Sequence, residues 1–290
     1  MAIILCPTDF SPASERALQY AVDRFGADDV ELRVLHVDDV PRRHGWEPSL
    51  ERSLRQSWQE RLDALLTAHE GRARLTAATA RGHAAEEILA HAEEIDASMI
   101  VMATRGRPAL ERLFLGAVTR KVVRGAHVPV LTLDPGARVG PVRRVLCPVD
   151  LSAPSAAVVA EAVRVAALWE ARVHLLYVHG LPREGMFADG TGFVDPKLVE
   201  VLRQTVRRDL ARFREQHGGA SVVDARVVEG VPHVEILRAI DESEADLVVV
   251  GSHGHSGLMR WVLGSVAERL IRLAPVPVLT VRGGAPDADD

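Results

Sequence analysis

Short apolar runs alternate with segments of helical periodicity along this chain, and the whole alternation occurs twice. Apolar runs of about four to eight residues, each followed by a helical pattern, are typical of a parallel sheet with helices on both faces. The strands are predicted near 2–7, 31–37, 74–80, 98–103 and 128–133, and again near 143–148, 172–178, 222–228, 246–251 and 276–281. The helices are predicted near 12–24, 50–69, 84–95 and 112–124, and again near 153–168, 196–216, 233–243 and 260–272. The pattern therefore predicts an α/β protein made of two repeated, doubly wound domains.

The two halves match each other residue by residue. Leu5–Ser14 matches Leu146–Ser155 at an offset of 141 residues, and 81–132 matches 229–280 at an offset of 148 with 20 of 52 pairs identical. The seven additional residues of the second half fall most naturally in 180–195, a Gly- and Pro-containing stretch that predicts a loop. The repeat indicates two copies of one domain.

Composition narrows the class of protein. The chain has 290 residues, of which 47% are hydrophobic and 26% charged, and its formal net charge is −5. The signs of charge are interspersed and form no basic stripe that would neutralise a nucleic-acid backbone. No segment reaches the roughly 18 apolar residues of a membrane-spanning helix. We therefore expect neither nucleic acid nor membrane as a partner, and we predict domains at 1–134 and 143–282, a linker at 135–142 and a flexible tail at 283–290.

The two cysteines, Cys6 and Cys147, occupy equivalent places in the first predicted strand of each half. A small thiol inside an apolar strand is more often a buried hydrophobic side chain than a redox group, so no disulfide is predicted. Met1–Pro7 lacks the basic region and cleavage site of a signal peptide, and a cytoplasmic location is therefore expected.

The strongest candidate site follows the fourth strand of the second half. There Gly251, Gly254, Gly264 and Ser265 form the pattern G-x2-G-x9-G-S. Glycines let the backbone approach a ligand closely, free N–H groups at a helix start attract phosphate, and a serine adds a hydroxyl donor. The pattern predicts a nucleotide phosphate site. In the alternative interpretation the glycines only shape a tight loop between strand and helix.

The first half carries an altered copy of the same stretch. Gly106 and Gly116 are retained, but Ala103 stands in place of the first glycine and Ala117 in place of the serine. The missing hydroxyl removes one charge-assisted hydrogen bond, worth roughly 1.5–3 kcal/mol. We therefore predict weaker binding in the first half, and Arg107 is a candidate to compensate by pairing with phosphate.

Two further features accompany the glycine pattern in each half. The first strand ends in Pro-x-Asp with a serine two places on, and the second strand ends in the apolar residue Val37 or Val178. Together these motifs resemble the universal stress protein family in its tandem two-domain form, and the resemblance covers nearly the whole chain. It implies five parallel strands per domain in the order 3-2-1-4-5, a switch point between the first and fourth strands, and ATP as the ligand of many members.

The resemblance also implies roles for individual residues of the second half. Asp150 would contact the nucleoside, although it can equally cap the following helix, and the two roles can coexist. Val178 would line the base pocket, with a plain core position as the alternative. The predicted nucleotide-binding residues are Pro148, Val149, Asp150, Val178, Val250, Gly251, His253, Gly254, His255, Gly264, Ser265 and Val266.

The predicted weaker site of the first half consists of the equivalent positions. These are Pro7, Thr8, Asp9, Val37, Gly106, Arg107, Gly116, Ala117 and Val118. The ligand expected at the stronger site is ATP, with or without Mg²⁺.

The two histidines of the glycine pattern admit a second interpretation. His253 and His255 form an H-x-H pair that is capable of binding a metal ion. The loop has no cysteine and no nearby carboxylate to complete a zinc site. We therefore predict no metal, with the imidazoles flanking the phosphates instead.

Three classes of function are compatible with these patterns. The first is a nucleotide-binding stress regulator whose halves form an intramolecular pseudo-dimer through their final strands, 128–132 and 276–280, and which can associate further as a homodimer. The second is an ATP-consuming enzyme, although the chain lacks G-x-x-x-x-G-K-[ST] and a lysine in the phosphate loop. The third is a nucleotide-independent scaffold. We favour the regulator and expect hydrolysis, where present, to be slow.

Overall fold

The computed structural model describes residues 1–26, 29–38, 48–106, 115–180, 196–219, 221–252 and 263–282. The chain divides into two compact units, Met1–Ala137 and Arg138–Asp290. The predicted tail and nearly all of the predicted loop at 180–195 lie outside the described residues. None of the helices within the described ranges is long and apolar enough to cross a membrane.

The first unit is a sheet of parallel strands in the order β3-β2-β1-β4-β5. Its strands are β1 (Ala2–Thr8), β2 (Val30–Asp38), β3 (Arg74–Arg81), β4 (Met99–Ala103) and β5 (Val130–Leu133). Its helices are α1 (Pro12–Phe25), α2 (Pro48–Ala68), α3 (Ala84–Glu94) and α4 (Ala117–Gly125).

The second unit repeats this arrangement in the order β8-β7-β6-β9-β10. Its strands are β6 (Arg144–Val149), β7 (Arg172–His179), β8 (Val222–Glu229), β9 (Leu247–Gly251) and β10 (Val278–Val281). Its helices are α5 (Ala153–Leu168), α6 (Pro196–His217), α7 (Pro232–Glu242) and α8 (Ser265–Leu273). In both units the third, second, first, fourth and fifth strands follow one another, which confirms the predicted fold class.

Burial explains why the central strands are apolar without alternation. Every residue of β4 is buried, as is every residue of β9 up to Val250. In the first unit α1 packs against β1, β2 and β4, while α3 packs against β2 and β3 and contacts α4. Parallel strands covered on both faces bury both sets of side chains, so their sequences read as continuous apolar runs.

The helix before the second strand starts at a defined place in each unit. Ser11 is the N-cap of α1, its side chain accepts a hydrogen bond from the Ser14 N–H at 3.2 Å, and Pro12 occupies the first turn. Ser152 is the N-cap of α5 in the same extended conformation, but its side chain makes no capping hydrogen bond. A proline in the first turn loses no hydrogen bond, because that N–H has no partner within the helix.

The last helix of each unit starts directly after a glycine. Helices were expected near 112–124 and 260–272; α4 starts at Ala117 and α8 at Ser265, and 112–114 and 260–262 lie outside the described residues. The preceding residues, Gly116 and Gly264, are N-caps with ψ of 138° and 139°, outside the helical range. Leu115 and Leu263 continue the apolar pattern but are not helical, since periodicity does not show where a backbone turns extended.

The two thiols are buried, as predicted. Cys6 and Cys147 are both free cysteines, in β1 and β6. Burial raises the pKa of each thiol to about 12, because an ionised sulfur inside the sheet would lose its hydration.

We expect both thiols to be unreactive in the folded protein, because the thiolate is the reactive form and burial suppresses it. Ellman's reagent at pH 8 should report no accessible thiol in the native protein and both thiols after unfolding in guanidinium chloride. Rapid reaction of either cysteine in the native state would contradict this burial.

Gly26 lets the end of α1 approach the start of β3. A Cβ atom at this position would lie 2.5 Å from the Val22 carbonyl oxygen and 2.6 Å from the Arg72 carbonyl oxygen. We expect Gly26→Ala to lower the free energy of unfolding by about 1–3 kcal/mol, since overpacking against backbone forces the chain to shift. Urea unfolding followed by circular dichroism measures this change.

Gly140→Ala is the control for that substitution. A Cβ at Gly140 would meet no atom within 4 Å, so stability should stay the same or rise slightly. Equal unfolding midpoints for the two variants would show that the approach at Gly26 is not a constraint.

Candidate functional site

The second unit contains a cavity of about 340 Å³ at the carboxyl ends of β6, β7 and β9, which we call the second pocket. It is lined by residues from five separate parts of the sequence: Pro148, Val149, Asp150, Ser155, Val158, Leu176, Tyr177, Val178, Pro232, Ile236, Val250, Gly251, Gly264, Ser265, Val266 and Ala267. A crevice beyond the strand ends, beside the switch between first and fourth strands, is where doubly wound sheets bind ligands.

The carboxylate of Asp150 organises the turn between β6 and α5. Its Oδ1 accepts hydrogen bonds from the Ser152 N–H at 3.0 Å, from the Ser152 hydroxyl, and from the Ser155 hydroxyl at 2.6 Å. Leu151 adopts a φ of +61°, which turns the chain sharply between strand and helix. Asp150 therefore holds the turn that leads to Ser152, the N-cap of α5, and it also lines the pocket.

Val178 and Tyr177 form the part of the wall supplied by β7. Both side chains are half-buried and line the cavity beside Leu176. A strand end supplies backbone N–H and C=O groups as well as side chains, and this pairing of groups suits an aromatic heterocycle with polar edges.

Another part of the wall is the start of α8. The Gly264 N–H donates to the Ser252 carbonyl oxygen at 2.8 Å, which fixes the glycine against the strand end, and Ser265 follows as the first helical residue. The first N–H groups of a helix have no carbonyl partner within it, and together with the helix dipole they favour an anion. This end of the pocket is suited to phosphate.

The first unit contains an equivalent cavity of about 380 Å³, the first pocket. It is lined by Pro7, Thr8, Asp9, Ser14, Leu35, Val37, Ala84, Ile88, Met102, Ala103, Arg105, Gly106, Gly116, Ala117, Val118 and Thr119. The two pockets thus occupy equivalent places in the two units.

Asp9 repeats the turn geometry of Asp150. Its Oδ1 accepts from the Ser11 N–H at 3.0 Å and from the Ser11 hydroxyl at 2.5 Å, and Phe10 has a φ of +58°. Burial by itself would raise the pKa of Asp9, but the hydrogen bonds from Ser11 and Ser14 outweigh it and hold the pKa below its usual value. Asp9 is therefore ionised at neutral pH.

Gly106 shows why a glycine is needed in this loop. A Cβ on Gly106 would lie 1.9 Å from the Asp9 Oδ2, so any larger residue would displace the carboxylate. The glycine of the loop and the aspartate of the first strand are thus in direct contact, although 97 positions separate them in the sequence. Its partner in the second half, Gly254, lies outside the described residues.

The structure places the predicted residues together wherever it describes them. In the second unit Pro148, Val149, Asp150, Val178, Val250, Gly251, Gly264, Ser265 and Val266 all line the second pocket. In the first unit Pro7, Thr8, Asp9, Val37, Gly106, Gly116, Ala117 and Val118 all line the first pocket. The predicted residues His253, Gly254, His255 and Arg107 lie outside the described residues.

Several lining residues were missed by the sequence reasoning. In the second pocket these are Ser155, Val158, Leu176, Tyr177, Pro232, Ile236 and Ala267. Ser155 had a usable signal, since it repeats Ser14 at the same offset as the aspartates. Pro232 and Ile236 had none, because α7 reaches the pocket only through the packing of the helix against β7.

A metal centre receives no support from the described part of the chain. Among those residues no group of three or more His, Cys, Asp or Glu side chains is arranged to hold a metal ion. His233 lies at the start of α7, and its Nδ1 is 3.0 Å from the Nη1 of Arg269. Desolvation and the charges of Arg269 and Arg272 lower the pKa of His233, so this imidazole is neutral at neutral pH.

Comparison with known proteins agrees with this geometry. The profile of the universal stress protein family matches residues 1–133 and again 141–282. A universal stress protein of Methanocaldococcus jannaschii is 33% identical over 141 residues, which cover 48% of this chain and 82% of the relative. A universal stress protein of Mycobacterium tuberculosis is 30% identical over 194 residues, 64% of this chain but only 62% of that relative's length.

A solved structure extends the likeness to the whole fold. The crystal structure of a universal stress protein from Archaeoglobus fulgidus matches 97% of this chain and 96% of its own, with a TM-score of 0.72 and 24% identity. The family profile matches both units, and the strand order and the repeated pockets agree with it. This chain belongs to the universal stress protein family and carries two of its domains in tandem.

Proposed function

We propose that this protein binds an adenine nucleotide, ATP, in the second pocket and acts as a nucleotide-dependent regulator of the stress response. The observation that carries the proposal is the second pocket itself, where Asp150, Val178 and Ser265 line one cavity. These three residues come from the ends of two strands and the start of a helix, and each supplies a different chemistry.

The apolar part of the pocket suits the base. Val178 on β7, Ile236 on α7 and Val158 on α5 face the cavity. An aromatic base buries apolar surface against such side chains, and the backbone of Val178 supplies the polar contacts that fix its edge.

The polar part suits ribose and phosphate. Asp150 accepts hydrogen bonds, which the ribose hydroxyls can donate. Ser265 and the amides that follow it supply donors to phosphate oxygens at the positive end of the α8 dipole. Ribose and phosphate are adjacent in a nucleotide, and both sets of groups line the same cavity.

The charge distribution favours binding over turnover. Among the described residues that line the second pocket, Asp150 is the only carboxylate, and three hydrogen bonds already engage its Oδ1. Fast phosphoryl transfer needs carboxylates that hold Mg²⁺ and a group that orients the attacking nucleophile. We infer a binding protein in which hydrolysis, where present, is slow and incidental.

Protein purified without added nucleotide should release adenine nucleotide when denatured, at about one equivalent per chain, because only the second unit keeps both Gly264 and Ser265. Chromatography and mass spectrometry of the supernatant identify the nucleotide, and ATP turnover is measured on the same sample. Absence of nucleotide, together with no affinity for added ATP, would favour a scaffold. Rapid turnover would favour an enzyme.

Ser265→Ala should weaken ATP binding about tenfold, since it removes one charge-assisted hydrogen bond to phosphate. Isothermal titration calorimetry measures the affinity. Ser98→Ala is the control, because Ser98 is an exposed serine outside both pockets. Equal affinities of the Ser265→Ala variant and the wild type would remove Ser265 from the site.

A further inference from the structure

The last strand of each unit ends beside its pocket in the same geometry. The Thr104 N–H donates to the Leu133 carbonyl oxygen at 3.0 Å, and the Ser252 N–H donates to the Val281 carbonyl oxygen at 2.8 Å. The residues that follow these two carbonyls are therefore equivalent. They are Asp134 in the first unit and Arg282 in the second, so the charge at this position reverses.

Thr104 and Ser252 connect this position to the phosphate end of each pocket. The carbonyl oxygen of Thr104 accepts from the Gly116 N–H at 3.0 Å, and that of Ser252 accepts from the Gly264 N–H at 2.8 Å. One residue thus bonds both the end of the last strand and the glycine before the last helix, and this links the position of Asp134 or Arg282 to the helix start.

In the first unit Asp134 neutralises the cation of the first pocket. Its Oδ2 accepts from the Arg105 Nη2 at 2.9 Å and from the Thr104 hydroxyl at 3.2 Å, and Oδ1 accepts from the Gly136 N–H at 2.9 Å. Arg105 lines the pocket and is only 17% exposed at its side chain, as is Asp134. The ion pair leaves Arg105 with little positive charge to offer a phosphate.

The rest of the first pocket offers a phosphate fewer donors than the second pocket does. Among its described lining residues only Asp9 and Arg105 are charged, and Asp9 is ionised. Ala117 lacks the hydroxyl of Ser265, and Met102 takes the place of Val250. An apolar cavity of about 380 Å³ with one carboxylate acceptor retains what a base and a ribose need. It lacks the serine hydroxyl of the second pocket, and its one described lining cation is already paired, so a phosphate gains less there.

We propose that the two pockets take ligands of different charge, an uncharged nucleoside in the first and a phosphorylated one in the second, and that Asp134 and Arg282 set this difference. The proposal rests on the proposed function, because it takes the base and ribose recognition of the second pocket as the pattern for the first. It makes Arg282, which lies outside the glycine motif, a specificity-determining residue.

Equivalent blocking variants separate the two pockets in the full chain. Val37 and Val178 are equivalent, half-buried and part of their respective linings. Val37→Trp fills the first pocket and Val178→Trp fills the second. Circular dichroism confirms the fold of each variant, and calorimetric titration with adenosine and with ATP then measures each remaining pocket alone.

We expect the Val178→Trp chain to bind one adenosine and to bind ATP at least about tenfold more weakly. Adding Asp134→Asn should strengthen ATP binding in this background and leave adenosine unchanged. In the Val37→Trp chain, Arg282→Gln should weaken ATP binding about tenfold and leave adenosine unchanged. The same difference can be tested without blocking variants. Wild-type protein saturated with ATP should still bind one equivalent of radiolabelled adenosine.

The outcomes distinguish this proposal from the proposed function. Wild-type protein that binds no ATP contradicts the proposed function. If the wild type binds ATP, two results for the first pocket overturn the present proposal alone. The first pocket then binds ATP as tightly as adenosine, or it binds neither ligand. The proposal is also overturned when Asp134→Asn and Arg282→Gln change ATP and adenosine binding by the same factor, or change neither.

Discussion

The pairing of the first and fourth strands is the constraint on which both pockets depend. β1 pairs with β4 through Ile4 and Leu5, and β6 pairs with β9 through Val145 and Leu146. In each unit the second and third strands lie on one side of this central pair and the fifth strand lies on the other. The connections that leave the carboxyl ends of the two central strands therefore lead away from each other. The separation leaves a crevice, and the residues that follow each strand become its lining.

Local hydrogen bonding then gives the crevice its chemistry. The aspartate after each first strand is held by serine hydroxyls, and a residue with positive φ follows it, Phe10 in one unit and Leu151 in the other. Non-glycine residues with positive φ are disfavoured and persist where the surroundings fix them. The aspartate is thereby fixed in the pocket wall, and in the first unit Gly106 leaves the space that its carboxylate occupies.

The same scaffold supports two different pockets because the differences lie at the ends of strands and helices. The first unit has Ala117 where the second has Ser265, and Asp134 where the second has Arg282. The strand order and the backbone hydrogen bonds around Thr104 and Ser252 are nevertheless the same in both units. Buried strands tolerate little variation, since every methylene in a packed core affects its neighbours, whereas the strand ends face the cavity. The side chains at these positions can therefore differ between the two units while the fold stays the same.

The sequence alone determined the repeat and the motif residues of both pockets, because apolar periodicity and spaced glycines are local signals. The strand order was implied only by the family resemblance. The sequence did not locate the extended backbone of Gly116 and Gly264 directly before α4 and α8, because that conformation leaves no trace in periodicity. It also missed Pro232 and Ile236, the Arg105–Asp134 pair and the contact between Asp9 and Gly106. Only the tertiary structure decided these features, because each joins residues that are distant in sequence and adjacent only once the strands have paired.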